Sequence, residues 1–201
     1  MRRGISLAIL VSAIIVAALP LHAQSLPSAK SSVPARLEVA LAYNAVRSNG
    51  TISACTCFWM EGGKAEFNAV FTRSFSFVGE VSAQHVSDIN SANQNLGLVT
   101  YLFGPRFSYR KSPRFTPFGQ VLVGGVHGFD GYFPNQNGST ATPDAFALAA
   151  GGGLNVYASH HLAIRPVQAD YLLTELPNDN GDRENSLRLG AGIVFLFGPP
   201  R

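Results

Sequence analysis

The sequence predicts an all-β fold: an eight-stranded antiparallel up-and-down transmembrane β-barrel preceded by a cleaved signal peptide. Three observations carry that expectation: the composition, the first two dozen residues, and a series of period-two segments with their connections. Of 201 residues, 46% are hydrophobic and only 13% are charged, with 20 Gly and 12 Pro. An average soluble domain has a charged share of about 25%. A disordered chain needs low hydrophobicity and high net charge, and a solvated helical bundle needs faces rich in Lys and Glu. Neither fits. Two Cys are too few for a disulfide scaffold.

At the N-terminus, Met1-Arg2-Arg3-Gly4 is basic and Ile5 to Leu19 is apolar apart from Ser6 and Ser12. Pro20-Leu21-His22-Ala23-Gln24 then offers a cleavage site after Ala23. This is the pattern of a secretory signal, so residues 1–23 are set apart as a signal peptide and residues 24–35 as a short linker. Arg2 and Arg3 leave with the signal, so 15 Lys and Arg against 12 Asp and Glu become 13 against 12. With that near-neutral balance and no basic cluster interleaved with aromatics, nucleic acid is not an expected partner. After residue 23 no apolar run approaches the ~20 residues of a spanning helix. In hydrocarbon every backbone polar group needs an internal partner, which leaves the closed barrel.

The strands follow in order. Over Arg36–Arg47, Leu37, Val39, Leu41, Tyr43 and Ala45 alternate with Glu38, Ala40, Ala42, Asn44 and Val46, as a half-buried strand requires. Over Lys64–Arg73, Ala65, Phe67, Ala69 and Phe71 alternate with Glu66, Asn68, Val70 and Thr72. Over Phe75–Val86, Phe77, Val81 and Ala83 alternate with Glu80, Ser82 and Gln84. Segments near Leu96–Tyr109, Phe115–Phe129, Ala145–Tyr157 and Leu162–Thr174 are strand-like with weaker alternation, which fails around Phe118 and Gln120. Pro166 cannot donate to a ladder and marks a bulge. A phase switch there puts Arg165, Gln168 and Asp170 on one face and Val167, Ala169 and Tyr171 on the other. The last strand sets Leu187, Leu189, Ala191, Ile193, Phe195 and Phe197 against Ser186, Arg188, Gly190 and Gly192.

Between these strands, Ser48–Gly63, Ser87–Asn95, Asp130–Asp144 and Glu175–Asn185 are long, while Ser74, Arg110–Arg114 and Ala158–His161 are short. Strict long–short alternation is the signature of a transmembrane barrel with surface loops at one end and tight turns at the other. Eight tilted strands enclose a lumen that side chains just fill. Gly151, Gly153, Gly190 and Gly192 fall on the small face and make room for longer side chains opposite. On the lipid face a basic residue would cost about 2–4 kcal/mol, an acidic one less. The charged strand residues Glu38, Glu66, Glu80, Arg165, Asp170 and Arg188 are therefore expected inside, as a paired ion network that plugs the pore. Arg106 is expected at a strand end facing water.

The final strand, Leu187 to Phe197, resembles the C-terminal signal read by the outer-membrane barrel assembly machinery: Gly192, then aromatics three and five positions later at Phe195 and Phe197. Tyr101-Leu102-Phe103-Gly104-Pro105-Arg106 and Arg165 through Asp170-Tyr171 are similar to strands of the OmpA-like and OmpX-like eight-stranded barrels. The resemblance covers nearly all of residues 36–198, with 199–201 as a tail. It implies residence in the outer membrane, with its lipids and the assembly machinery as partners. It further implies a structural or surface-interaction role, a largely plugged lumen, no cofactor and no enzymatic activity. The peptidoglycan-binding domain of many OmpA relatives is not expected. Three other readings stay open: a narrow porin-like channel for ions or very small solutes, a lipid A-modifying enzyme, and a soluble exported barrel with a ligand inside.

Few residues suggest chemistry. Cys55 and Cys57 lie in the first long connection, where an exported protein could oxidise them, though the ring would be strained. A metal there would need further ligands, and none stands close in sequence. Phe58, Trp59 and Met60 are expected at the lipid headgroup level. His85-Val86-Ser87 is the one pair that suggests an enzyme, because eight-stranded lipid A deacylases use His with Ser near the outer rim. Such a pair needs a carboxylate to orient the imidazole, and Asp88 is badly placed for it in an extended strand. A polar strand end meeting water is the simpler expectation. His160 and His161 fall in a short turn, and Gly151-Gly152-Gly153 lies within a strand as packing room.

Overall fold

The computed structural model describes residues 36–48, 58–89, 94–131, 133–135, 138–177 and 182–198. The signal peptide, the linker, Cys55, Cys57 and the tail lie outside the described residues. Eight long strands form a closed antiparallel barrel: β1 (Arg36–Ser48), β2 (Phe58–Val70), β3 (Phe75–Ile89), β4 (Gln94–Ser108), β5 (Phe115–Phe129), β8 (Asp144–Tyr157), β9 (Leu162–Thr174) and β10 (Glu184–Phe197). A small hairpin, β6 (Phe133–Asn135) with β7 (Gly138–Thr140), sits in the connection between β5 and β8. Each long strand pairs with its neighbour in sequence, and β1 closes on β10 from Leu37↔Phe197 to Arg47↔Leu187.

Period-two alternation becomes an inside and an outside. Leu41, Tyr43, Phe67, Val81, Tyr101, Phe103, Ile164 and Ile193 stand on the outer wall, each between 46% and 57% exposed. A band of large apolar side chains, exposed on every strand of one wall, marks a membrane or protein contact surface. At the short-turn end the band ends in Phe71, Phe107, Tyr109, Phe115 and Phe197, all at least 50% exposed. Phe75 meets Phe107 edge-on across β3 and β4, with ring centroids 5.4 Å apart. Such a ring of aromatics is the girdle of a membrane-spanning barrel.

The interior has three levels. Toward the long connections, Val46, Met60, Leu98, Val126, Leu172 and Leu176 form one apolar cluster, with Phe133 of the small hairpin packed into it. Toward the short turns, Ala40, Ala163, Val194 and Leu196 form another, with Tyr157 beside it. Most of the charged side chains lie between these two, with Val78, Leu102 and Leu122 of the first cluster interleaved among them and Glu38 level with Leu196 of the second.

Several boundaries differ from the sequence reading. β2 starts at Phe58, well inside the segment read as a connection. Gly62 and Gly63 hid this start, since glycines carry no inside–outside signal. Of the three residues expected at headgroup level, Trp59 is exposed on the outer wall, Met60 is buried in the lumen and Phe58 is half-buried. β3 and β4 run on to Ile89 and from Gln94, so only residues 90–93 join them, against 109–114 at the next turn. The alternation of connection lengths is therefore not strict. The Pro166 bulge is present: between Gly190 and Gly192 one residue of β10 faces two of β9, and the β8–β9 register shifts there too.

Phe118, whose face could not be read, points inward and is 7% exposed. It lies opposite Gly153 in the β5–β8 register, where a Cβ would stand 2.9 Å from the Phe118 ring. The missing side chain is what gives the ring its place.

Arg at Val121, mid-strand on the outer wall of β5, should lower unfolding free energy in vesicles by about 2–4 kcal/mol, and Arg at Phe115, in the girdle, by about 0–1 kcal/mol. Urea titrations of Val121→Arg and Phe115→Arg check the gradient, and equal losses would contradict it.

Candidate functional site: a charged layer in the lumen

Inward parity on seven neighbouring strands brings the polar residues together. β2 supplies Lys64 and Glu66, β3 Glu80, β4 Arg106, β5 Gln120, and β8 Asn155. β9 supplies Arg165, Gln168 and Asp170, which the bulge at Pro166 keeps on one face, and β10 supplies Arg188. None of these side chains belongs to a residue more than 5% exposed.

Glu66 is the hub of one half. Its Oε2 accepts from Arg106 Nη2 at 2.7 Å and from Arg165 Nη1 at 2.6 Å, while Lys64 Nζ stands 3.1 Å from Oε1. Asp170 and Glu80 share Arg188 in the other half. Arg188 Nη2 donates to Asp170 Oδ2 at 2.9 Å and Arg188 Nη1 donates to Glu80 Oε1. Lys64 joins the halves, 3.5 Å from Glu80 and 3.9 Å from Asp170. The amides add further acceptors: Arg106 Nε donates to Gln120 Oε1 at 2.9 Å, and Arg165 Nε to Asn155 Oδ1 at 2.9 Å. Gln168 accepts from Arg165 and donates to Asp170 at 2.8 Å. Phe118 lies beneath two cations at once, with Arg106 Cζ 4.2 Å and Arg165 Cζ 4.7 Å from its centroid. A ring quadrupole in a desolvated site holds such cations by about 2 kcal/mol or more.

Burying a charge costs several kcal/mol unless geometry and further hydrogen bonds offset it. Here each carboxylate faces at least one guanidinium, and the layer spans the full width of the barrel. Chemically it is a lattice of ion pairs in which Glu66 Oε1, Glu80 Oε2 and Arg165 Nη2 are buried without a hydrogen-bond partner, the first two facing the Lys64 ammonium. Among the described residues no group of three or more His, Cys, Asp or Glu converges as a metal site.

Other sequence candidates fall elsewhere. Glu38 is inside but nearer the short turns, where it accepts from Asn68 Nδ2 at 2.8 Å and from Arg110 Nη2 at 3.1 Å. Arg110 also donates to the Arg73 carbonyl at 3.1 Å, tying two short turns across the inner mouth. Gly192 faces inward against Ala42, while Phe195 and Phe197 stand outward. His160 offers its carbonyl to Arg36 at 3.3 Å. His85 and Ser87 are on the outer wall. Arg106 corrects the sequence reading: it is 1% exposed and central to the network, because Gln120 on the adjacent β5 and Glu66 on β2, one strand beyond β3, draw its fork inward. Lys64 was missed altogether. The signal was present in the segment Lys64–Arg73, where Lys64 shares the parity of Glu66 and Asn68.

Solved structures share this architecture. Neisserial surface protein A superposes with a TM-score of 0.59 at 7% identity, over 79% of this chain and 96% of that one. Ail, the attachment invasion locus protein of Yersinia pestis, gives 0.49 at 17% identity, over 82% and 98%. The outer membrane protein AlkL gives 0.49 at 12% identity, over 88% and 98%. At 7% identity the first of these superpositions shows a likeness of fold alone, that of a small closed eight-stranded barrel. No family model and no curated protein matches the sequence.

Replacing Arg188 by Met leaves Glu80 and Asp170 buried without their guanidinium, and should cost about 3–5 kcal/mol of stability. Adding Glu80→Gln should recover part of the loss. Urea titration of the refolded variants checks both, and a loss below about 1 kcal/mol would mean the layer behaves like an exposed ion pair.

Proposed function

We propose that the protein is an outer-membrane β-barrel, exported behind its N-terminal signal and inserted by the barrel assembly machinery. Its role is structural or surface-interacting: a stable cylinder that carries its long connections outward while its lumen stays closed. The observation that carries this reading is the sequence of levels inside the barrel. A charged layer paired within itself is packed against two apolar clusters, and Phe133 packs into the one at the long-connection end. A conducting pore needs binding weak enough for ions to leave. Each carboxylate of the layer is already paired with a guanidinium.

The outer wall supports the membrane placement by its aromatic girdle and its apolar band, and the Gly192, Phe195 and Phe197 pattern supports recognition by the assembly machinery. In this reading the lumen is a mechanical core and not a catalytic chamber.

Purified, refolded protein in planar bilayers should give no stable unitary openings. Discrete, reproducible conductance steps would contradict the closed lumen and favour a narrow channel for ions or very small solutes.

A further inference from the structure

The short-turn end of the barrel carries one sign of charge. Residues 71–74, 109–114 and 158–161 join β2 to β3, β4 to β5 and β8 to β9. Arg73, Arg110, Lys111 and Arg114 stand in these turns, with Arg36 at the start of β1. Among the described residues the only carboxylate at this end is Glu38, which is buried and paired with Arg110. Arg73, Lys111 and Arg114 are exposed. At the opposite rim the sign reverses, and Glu61, Asp130, Asp144 and Asp182 are all exposed. A chain of nearly neutral balance has sorted its surface charge by rim.

The basic rim is held in place. Arg110 donates to the Arg73 carbonyl at 3.1 Å and to Glu38, stapling the first two turns together. Thr72 Oγ1 accepts from the amides of Ser74 and Phe75, and Ser112 Oγ from those of Arg114 and Phe115, so a side chain closes each turn. Strands lie about 4.7–4.9 Å apart. Turns two strands apart therefore set their cations about 10 Å from each other, one screening length at 0.1 M salt.

The depth of these cations is fixed by the aromatic girdle. Arg73 follows Phe71 by two residues, Lys111 follows Tyr109 by two, and Arg114 directly precedes Phe115. Lys111 Nζ lies over the exposed Tyr109 ring, 5.3 Å from its centroid. At about 3.3 Å per residue, the cations stand no more than about 7 Å beyond the rings. Girdle aromatics sit at the membrane–water interface, and the headgroup zone beyond the hydrocarbon is about 5–8 Å deep on each side. The cations are at phosphate depth.

We propose that this rim is a binding surface for anionic phospholipid headgroups, with Arg73, Lys111 and Arg114 enriching such lipids beside β2 to β5. This rests on the reading that the outer wall faces lipid. A phosphodiester brings its negative charge to the level of the cations, whereas a zwitterionic headgroup offsets that charge with its own ammonium. A soluble acidic partner would have to enter the headgroup zone to reach the same groups. One cation near an anionic lipid surface is worth about fivefold in local occupancy.

The test uses the full chain refolded into phosphatidylcholine vesicles, its folding checked by heat-modifiable gel migration. Trace spin-labelled phosphatidylglycerol or spin-labelled phosphatidylcholine then reports, by electron spin resonance, the fraction of each lipid restricted by the protein. The basic sector covers four of the eight strands at one rim, so fivefold enrichment there averages to about twofold over all lipid contacts. Phosphatidylglycerol should be favoured about twofold at 0.1 M salt and not at 1 M, where screening acts within about 3 Å. The combined variant Arg73→Gln, Lys111→Gln, Arg114→Gln should lose the preference, and Arg47→Gln at the opposite rim should keep it. Equal restriction of the two lipids by the folded barrel overturns the proposal and leaves the membrane reading standing. So does a preference that survives the triple variant or 1 M salt, or one that Arg47→Gln removes. A protein that restricts neither lipid overturns both.

Discussion

The ladder between β1 and β10, from Leu37↔Phe197 to Arg47↔Leu187, joins the ends of the sheet and leaves it without an edge. Everything else depends on that closure. A strand at an open edge would present unpaired amides and carbonyls, each costing several kcal/mol in hydrocarbon. Once closed, the sheet has an inside and an outside, and period two in the sequence becomes a division between two environments. The outer wall can then be as apolar as lipid allows, and the inner one must dispose of whatever is polar.

How the lumen disposes of its charges is the second constraint. A cylinder of eight strands leaves room for side chains and little more, so the inward residues must complement one another in shape as well as in charge. Phe118 shows both requirements at one position. Its ring fits because Gly153 opposite has no side chain, and it faces two guanidinium groups that would otherwise repel each other across the layer. Glu66 holds the same two arginines from the other side. The network thus fixes the relative positions of β2, β4, β5 and β9 beyond what their backbone ladders do. Glu38 and Arg110 repeat the device on a smaller scale at the inner mouth.

Local features were legible in the sequence wherever a single strand carries its own signal. Alternation in β1 and β10 separates Leu41 from Ala42 and Leu189 from Arg188 without knowledge of any partner. Pro166 announces its bulge because it has no amide proton, and the phase of Arg165, Gln168 and Asp170 follows from it. Features that depend on a distant strand were not legible. The inward turn of Phe118 requires Gly153 across β5 and β8, and the burial of Arg106 requires Glu66 from β2. The Gly62-Gly63 pair broke the pattern of β2 and so concealed its first residues, among them Glu61 opposite His85. The small hairpin of β6 and β7 left no apolar period to count.

The orientation of the two faces of the barrel wall, read at β5, is the claim on which the membrane placement and the closed lumen both stand. It can be read directly with one tryptophan at a time. The chain has a single Trp, Trp59, so a Trp59→Phe background is dark. In it, Val121→Trp should be strongly quenched by lipids brominated on their acyl chains, and Leu122→Trp, one residue along and turned inward, should be quenched weakly. Equal quenching at the two positions, or stronger quenching at 122, would contradict the account.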